Sequence, residues 1–436
     1  MSTSSTPSGL RYAARAFAHR NYLLFWCGAL GSNVGSWLAN LAVPYVLFQL
    51  TGSALWVGAA SVAQLLPGVL LGPWGGSLAD RCDRRRVLLV TQTGMAVSAS
   101  CLWLIWATGV ATPWMFMVVL GMVSLFQGVN LPVWQSFVND LVPREDLSSA
   151  VALNSLQFNG ARALGPALAG ILIATLGPGW AFFLNGMSFV GVLLALAAVR
   201  LPSAPAPPTP RPQVLRDFVA AVRYVGGQPG IQIAILLSVI VGVLGNPIFT
   251  LTVVFADDVF QVGALGLGLM GAALGAGSLL VAPLISGGIP GLTLGRITRL
   301  ALPWYGVMLI GFALSGRYAV GCLLLVGVGM GFMALIASAN TAIQLIVAGP
   351  VRGRVISVRI VVFSTSMPLG SALQGWVADQ VGAPATVAGA GVLVLVAAVL
   401  LSGLDRGRWL ARLDDPHDEA VPPGGTTLAP TSSGHG

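Results

Sequence analysis

Twelve apolar runs, each about 20 residues long or more, as a membrane-crossing helix requires, leave this chain little choice of fold. They fall near residues 22–50, 55–78, 87–108, 113–138, 148–176 and 180–199, and, after a break, near 231–256, 265–287, 298–316, 319–346, 355–377 and 384–404. In lipid every backbone N–H and C=O must find a partner inside the protein, so runs of this length are read as helices. Only 8% of the 436 residues are charged, against 56% hydrophobic. A soluble domain carries about 25% charged residues, so this chain could not cover a water-facing surface. The expected fold class is an all-α membrane protein with twelve transmembrane helices.

The charges sort to one side of that array. The 22 basic residues are all arginine. The densest cluster is the hairpin Gly76–Arg86 between spans 2 and 3, with Arg81, Arg84, Arg85 and Arg86. Counted from an inside N-terminus, the inner segments hold these four with Arg144, Arg200, Arg296, Arg299, Arg352, Arg354 and Arg359 among others, and only Arg317 falls outside. The positive-inside rule then sets both termini in the cytoplasm and the chain in the cell (inner) membrane. The net charge of +8 is accounted for by this topology and by anionic lipid headgroups, so no nucleic-acid partner is expected. Cys27, Cys82, Cys101 and Cys322 have neither paired nor metal-ligand spacing and are read as reduced and structural.

The organisation is that of two halves. A polar tail, 1–20, without the apolar core of a signal peptide, precedes a six-span half, 21–200. The linker 201–228 opens with a stiff Pro-rich stretch and continues into an amphipathic segment, Leu215–Tyr224, expected along the inner membrane surface. A second six-span half, 229–404, is followed by a polar tail, 405–436, expected to be disordered. Gly165-Pro166-Ala167-Leu168-Ala169-Gly170 in span 5 is echoed by Gly370-Ser371-Ala372-Leu373-Gln374-Gly375 in span 11. Two such halves joined by an inner loop are the plan of a secondary transporter.

The hairpin also carries a family resemblance. Gly76, Asp80, Arg81, Arg84 and Arg85 resemble motif A of the major facilitator superfamily, with Asp83 where glycine is usual. Thr51–Ala54, Ala79–Arg81, Leu141–Glu145, Asn159–Arg162 and Gly165-Pro166 resemble more closely the branch that includes the enterobactin exporter and macrolide-efflux-like proteins. The resemblance implies two six-helix bundles, with Gly76, Asp80, Arg81, Arg84 and Arg85 latching one conformation. Gly165, Pro166 and Gly170 resemble motif C of the antiporter branches, a helix-packing motif that favours export. Leu120–Gly128 resembles motif B of drug–proton antiporters, except that Ser124 stands where that motif has arginine.

Candidate binding residues follow from the cost of polarity in lipid. Arg162 is the one charge placed deep in a span, where it would face a cavity or a partner. Polar and aromatic residues recur at helical spacing: Asn33, Trp37 and Asn40 in span 1, Gln127, Asn130 and Trp134 in span 4, Asn246 in span 7, Asn340 and Gln344 in span 10, with Asn159 beside Arg162. Together they outline a cavity between the halves. No acid or histidine is placed deep in a span. Asp257 and Asp258 fall at the outer end of span 7 and Asp379 just beyond span 11. Proton coupling is therefore left to Asp80, Asp257 or Asp258.

The expected function is a proton-coupled exporter of a small neutral or anionic amphipathic compound, of drug or siderophore type, working by alternating access. Two alternatives stay open: a solute importer or facilitator on the same fold, and a non-transporting membrane sensor or scaffold. No enzyme activity, cofactor or metal is expected, and the partners are a small-molecule substrate, protons and membrane lipids, with the protein a monomer.

Overall fold

The computed structural model describes residues 14–199, 214–286, 293–347, 349–403 and 408–414, and every regular element among them is helical. The N-terminal half contains α1 (Arg20–Thr51), α2 (Ala54–Arg81), α3 (Arg84–Ala107), α4 (Pro113–Asp140), α5 (Leu147–Leu176) and α6 (Pro178–Ala198). The amphipathic linker segment forms α7 (Val214–Gly226) and lies against α12. The C-terminal half contains α8 (Pro229–Val259), α9 (Gly263–Ser286), α10 (Leu294–Leu314), α11 (Tyr318–Ile346), α12 (Gly349–Val381) and α13 (Ala383–Gly403). Each expected span has its helix. Eleven of them are long and apolar enough to cross a membrane. The twelfth, α1, has 32 residues but is diluted by Asn33, Ser36, Asn40 and Gln49.

Local chemistry sets the ends. Thr51 is followed by Gly52 in the left-handed region (φ 59°), whose N–H closes on the Phe48 carbonyl at 2.7 Å. Pro113, Pro178 and Pro229 begin their helices, where a missing N–H costs nothing. Asp83 and Thr293 accept hydrogen bonds from the N–H of Arg86 and Arg296 at the starts of α3 and α10.

Within the first half α1 packs on α5 and α6, α4 on α2 and α3, and α3 on α6. In the second half α11 packs on α8, α9 and α10, and α10 on α13. The halves meet along two seams, α2 with α12 and α5 with α9. The repeat makes α5 equivalent to α12 and α2 to α9, so the two seams are one contact used twice. Small residues let the backbones touch there. A Cβ on Gly170 would lie 2.7 Å from Gly268 Cα, and one on Gly58 would strike the Ser371 carbonyl. Both approaches lie toward the end of the molecule opposite the arginine hairpin, called here the far end.

α8 is not a regular helix. Val241–Gly245 and Phe255–Val259 are π-turns. Pro247 has no N–H to give back to the preceding turn. The carbonyls of Val243 and Leu244 instead accept from Gln374 Nε2 of α12, at 2.8 and 3.0 Å. Broken backbone is tolerated at membrane depth only when satisfied in this way.

Residues 408–414, expected to be disordered, instead fold back on the second half through the short helix α14 (Arg408–Ala411). Leu410 and Leu413 are fully buried, and Asp414 accepts from the N–H groups of Leu294 (2.7 Å) and Gly295 (3.0 Å) at the start of α10. Burial of two leucines outweighs the local polarity that suggested a free tail. Asp414→Ala removes a cap worth about 1 kcal/mol, and is expected to lower the thermal midpoint modestly, read by thermal unfolding in detergent.

Candidate functional site between the two halves

Helix geometry sorts the α1 face first. Gly28 and Gly35 pack against α6, where a Cβ would meet Gly191, Val192 or Ser188. Asn33 lies about 140–200° around the helix from both glycines, so it turns away from α6 with Trp37 and Asn40. The Trp37 side chain fills the space left by Gly165 of α5, and Asn40 Oδ1 accepts from Gln64 Nε2 of α2 at 2.7 Å. This face therefore looks between α2 and α5, the two helices that meet the other half. Gln64 escaped the sequence reading, although it is the one amide in an otherwise apolar span.

Arg162 sits on α5 between two contact rows. Gly165 faces α1, while Ala163 and Gly170 face α9. The guanidinium points between them, and its carbon lies 5.9 Å from the ring centroid of Phe332 on α11. Phe332 in turn packs edge-on against Phe249 of α8 at 5.2 Å. A cation of the first half thus lies over one ring of the second, a cation–π geometry. Asn159 bonds its own helix, Nδ2 donating to the Ser155 carbonyl at 2.9 Å.

Other candidates spread over several places. Asn130 is buried inside the first half, accepting from Thr91 Oγ1 (3.0 Å) and Gln92 Nε2 (3.1 Å) of α3. The Trp134 ring packs, tilted, against Phe25 of α1 at 4.4 Å, and Gln127 is exposed. Ser124 packs at the α2–α4 crossing, its Oγ accepting from the Gly68 N–H at 2.9 Å, so the place of the motif B arginine is filled by a helix contact. Asn246 is buried at the break in α8. Gln344 is exposed near the arginine-rich end of α11.

Arg359 corrects the sequence reading. Hydropathy assigns it to the inner segments, but α12 begins at Gly349 and carries it about 15 Å into the helix. Arg359 is only 6% exposed. Nη1 donates to Asn340 Oδ1 and Nη2 to the Ile336 carbonyl, both at 3.2 Å, while Nε has no partner. Arg162 is therefore not the single deep charge.

At the arginine-rich end Arg84 donates to both carboxylate oxygens of Asp140, each at 2.8 Å. Arg85 donates to the Leu196 and Ala197 carbonyls at the end of α6 (2.6 and 2.8 Å), and Arg81 is exposed. These contacts stay inside the first half. Gly76 and Asp80 belong to α2, and their side-chain surroundings lie outside the described residues.

The far end carries the cross-half hydrogen bonds at α1 and α2. Gln49 Nε2 of α1 donates to Asp257 Oδ1 at 3.0 Å, and Asp258 next to it is exposed. Asp379 falls in the last turn of α12 rather than beyond it, and caps α2: Ser53 Oγ donates at 2.5 Å, the Ala54 N–H at 2.6 Å and the Leu55 N–H at 3.2 Å. Among the described residues no group of three or more potential ligands could hold a metal ion, and all four cysteines are free.

Comparison with known proteins agrees with this architecture. A POT family transporter of known structure superposes with a TM-score of 0.70 at 13% identity, over 89% of this chain and 96% of its own, a likeness of fold alone. Macrolide efflux protein A of Streptococcus pyogenes is 23% identical over 405 residues, 89% of this chain and 97% of its own length. The staphyloferrin A transporter of Staphylococcus aureus is 25% identical over 182 residues, 41% of this chain and 44% of its own length. The enterobactin exporter of Shigella boydii is 26% identical over 294 residues, 65% of each. The chain thus spans less than half of the staphyloferrin A transporter and nearly all of the macrolide efflux protein. The model of the transmembrane secretion effector family matches residues 13–420. With twelve helices in two six-helix halves, and that match over nearly its whole length, the chain belongs to the transmembrane secretion effector family of major facilitator superfamily transporters.

Proposed function

We propose that the chain is a secondary exporter of a small amphipathic compound, neutral or anionic, of drug or siderophore type. The observation that carries this reading is Arg162, a membrane-depth cation whose partner is an aromatic ring of the opposite half. A substrate that enters between the halves meets a positive charge beside the Phe332 ring, and no carboxylate pairs with that charge among the described residues. Strongly cationic compounds gain nothing there. The names of the relatives, a macrolide efflux protein, a staphyloferrin A transporter and an enterobactin exporter, support a compound of drug or siderophore type.

The proposed cycle is alternating access driven by protons. With the arginine-rich end in the cytoplasm, the far-end bonds of Asp379 and Gln49 close the outer side of the path. Asp80, at the opposite end of α2, latches the alternate state, as the motif A resemblance implies. Asp80, Asp257 and Asp258 are the carboxylates proposed to carry the proton.

The experiment is gradient collapse in energised inverted vesicles, followed with a pH-sensitive dye. The panel holds quaternary cations, neutral macrolides and catecholate-like anions. Collapse is expected with neutral and anionic compounds, is lost in Arg162→Ala, and falls strongly in Asp80→Asn. Silence toward the whole panel by a folded preparation would defeat proton-coupled export. Accumulation in right-side-out vesicles would replace it with import.

A further inference from the structure

Arg359 and Arg162 come from opposite halves yet touch one stripe of α11. Phe332, Ile336 and Asn340 are spaced four residues apart, so they share a face. Arg162 lies over Phe332, and Arg359 holds the Ile336 carbonyl and Asn340 Oδ1. Their attachment points are four to eight residues apart, or about 6–12 Å along the helix. α11 packs chiefly on α9 and α10, and α12 chiefly on α2. Arg359 therefore reaches from one helix to another that is not its main neighbour, across the interior of the second half.

Neither guanidinium is paired with a carboxylate among the described residues. A buried charge without a counter-charge is expensive. The neutral oxygens of Asn340 and Ile336 meet only part of the need of Arg359, whose buried Nε has no acceptor. Asn340 and Ile336 also hold the planar fork in place, which suits it to receive a carboxylate-like group.

We propose that Arg162 and Arg359 are the two poles of a binding site for an amphipathic organic dianion. Two carboxylate-type groups bind about one to two helical turns apart, and an apolar or aromatic body lies along Phe332, Ile336 and Phe249. The inference deepens the export reading and rests on it for the claim that a ligand enters between the halves. It assigns to Arg359 a ligand contact, and it distinguishes dianions from the neutral compounds that the export reading also allows.

The test uses the full chain in lipid nanodiscs and follows tryptophan fluorescence, since Trp37 packs on Gly165, one turn from Arg162. Three probes are titrated: the para,para′-dicarboxylate of biphenyl, biphenyl monocarboxylate, and the dimethyl ester of the diacid. The diacid is expected to bind at least about tenfold more tightly than the monoacid, with no saturable binding of the ester. Arg162→Gln and Arg359→Gln are each expected to bring the diacid down to the affinity of the monoacid, and Arg359→Lys to fall between. Equal affinity of the parent protein for diacid and ester overturns the site, and this comparison needs no variant to fold. Diacid affinity unchanged in a folded Arg359→Gln protein overturns it as well. Vesicle transport of neutral compounds without diacid binding sinks the dianion site and leaves export standing. Diacid binding with no transport of any probe does the reverse.

Discussion

Gly268→Leu is expected to stop transport without unfolding the protein, whereas Gly277→Leu, on the same helix, is expected to unfold it. The difference lies in what each glycine touches. A Cβ on Gly268 would meet Gly170 Cα and the Pro166 carbonyl, each at 2.7 Å, both on α5 of the other half. A Cβ on Gly277 would strike the Val326 carbonyl and lie 3.0 Å from the Met330 nitrogen, both on α11 of its own half. Overpacking costs about 1–3 kcal/mol where neighbours can move, and backbone in contact with backbone moves least. At Gly268 that cost falls on the closed far end, whose population is expected to drop about 100-fold. At Gly277 it falls on the second bundle itself. Spin labels at Leu50 and Gln380 would report a longer distance in Gly268→Leu, with the thermal midpoint near that of the parent. Loss of folding in both variants, or normal transport by Gly268→Leu, would refute the separation of the two roles.

Asp379→Ala is expected to open the same end by a different route. The start of α2 presents unpaired N–H groups and the positive end of a helix dipole. Ser53 makes no cap bond to its own helix and gives its hydroxyl to Asp379 instead. The carboxylate also takes the N–H groups of Ala54 and Leu55. An N-cap of this kind is worth about 0.5–2 kcal/mol, so its loss is expected to shift the far-end equilibrium by about 2–30-fold. Asp379→Asn keeps an acceptor oxygen without the charge and is expected to fall between. The same labelled pair measures the populations. A distance distribution unchanged by Asp379→Ala would mean that the glycine seams alone hold the closure.

Much of this architecture is legible in the chain because lipid allows few alternatives. Apolar runs of span length must be helices, and the echo of Gly165–Gly170 in Gly370–Gly375 marks α5 and α12, each of which lies in one of the seams between the halves. Arg359 was misplaced for a local reason. The stretch Gly349–Arg359 carries three arginines and two glycines, so hydropathy reads it as a loop. Its helix starts at Gly349, and the arginine is bonded by Ile336 and Asn340 on another helix. The partners lie 19 and 23 residues away on a different helix, beyond the reach of any local pattern. Gln374 was similarly opaque, since its bonds to Val243 and Leu244 exist only because α8 is broken at Pro247 beside it.

By itself the sequence determined the helical class, the number of spans, the two-half repeat and the gathering of arginines at one end. Those properties depend on each segment's own backbone and side chains meeting lipid, and a linear reading captures them. Only the tertiary structure decided which polar groups face one another. Asp379 lies on the start of α2 and Gln374 on the freed carbonyls of α8, while Arg162 and Arg359 share one stripe of α11. Each of these pairings joins residues far apart in the chain through a helix crossing. Close contact between small residues fixes such crossings, and no local propensity encodes them.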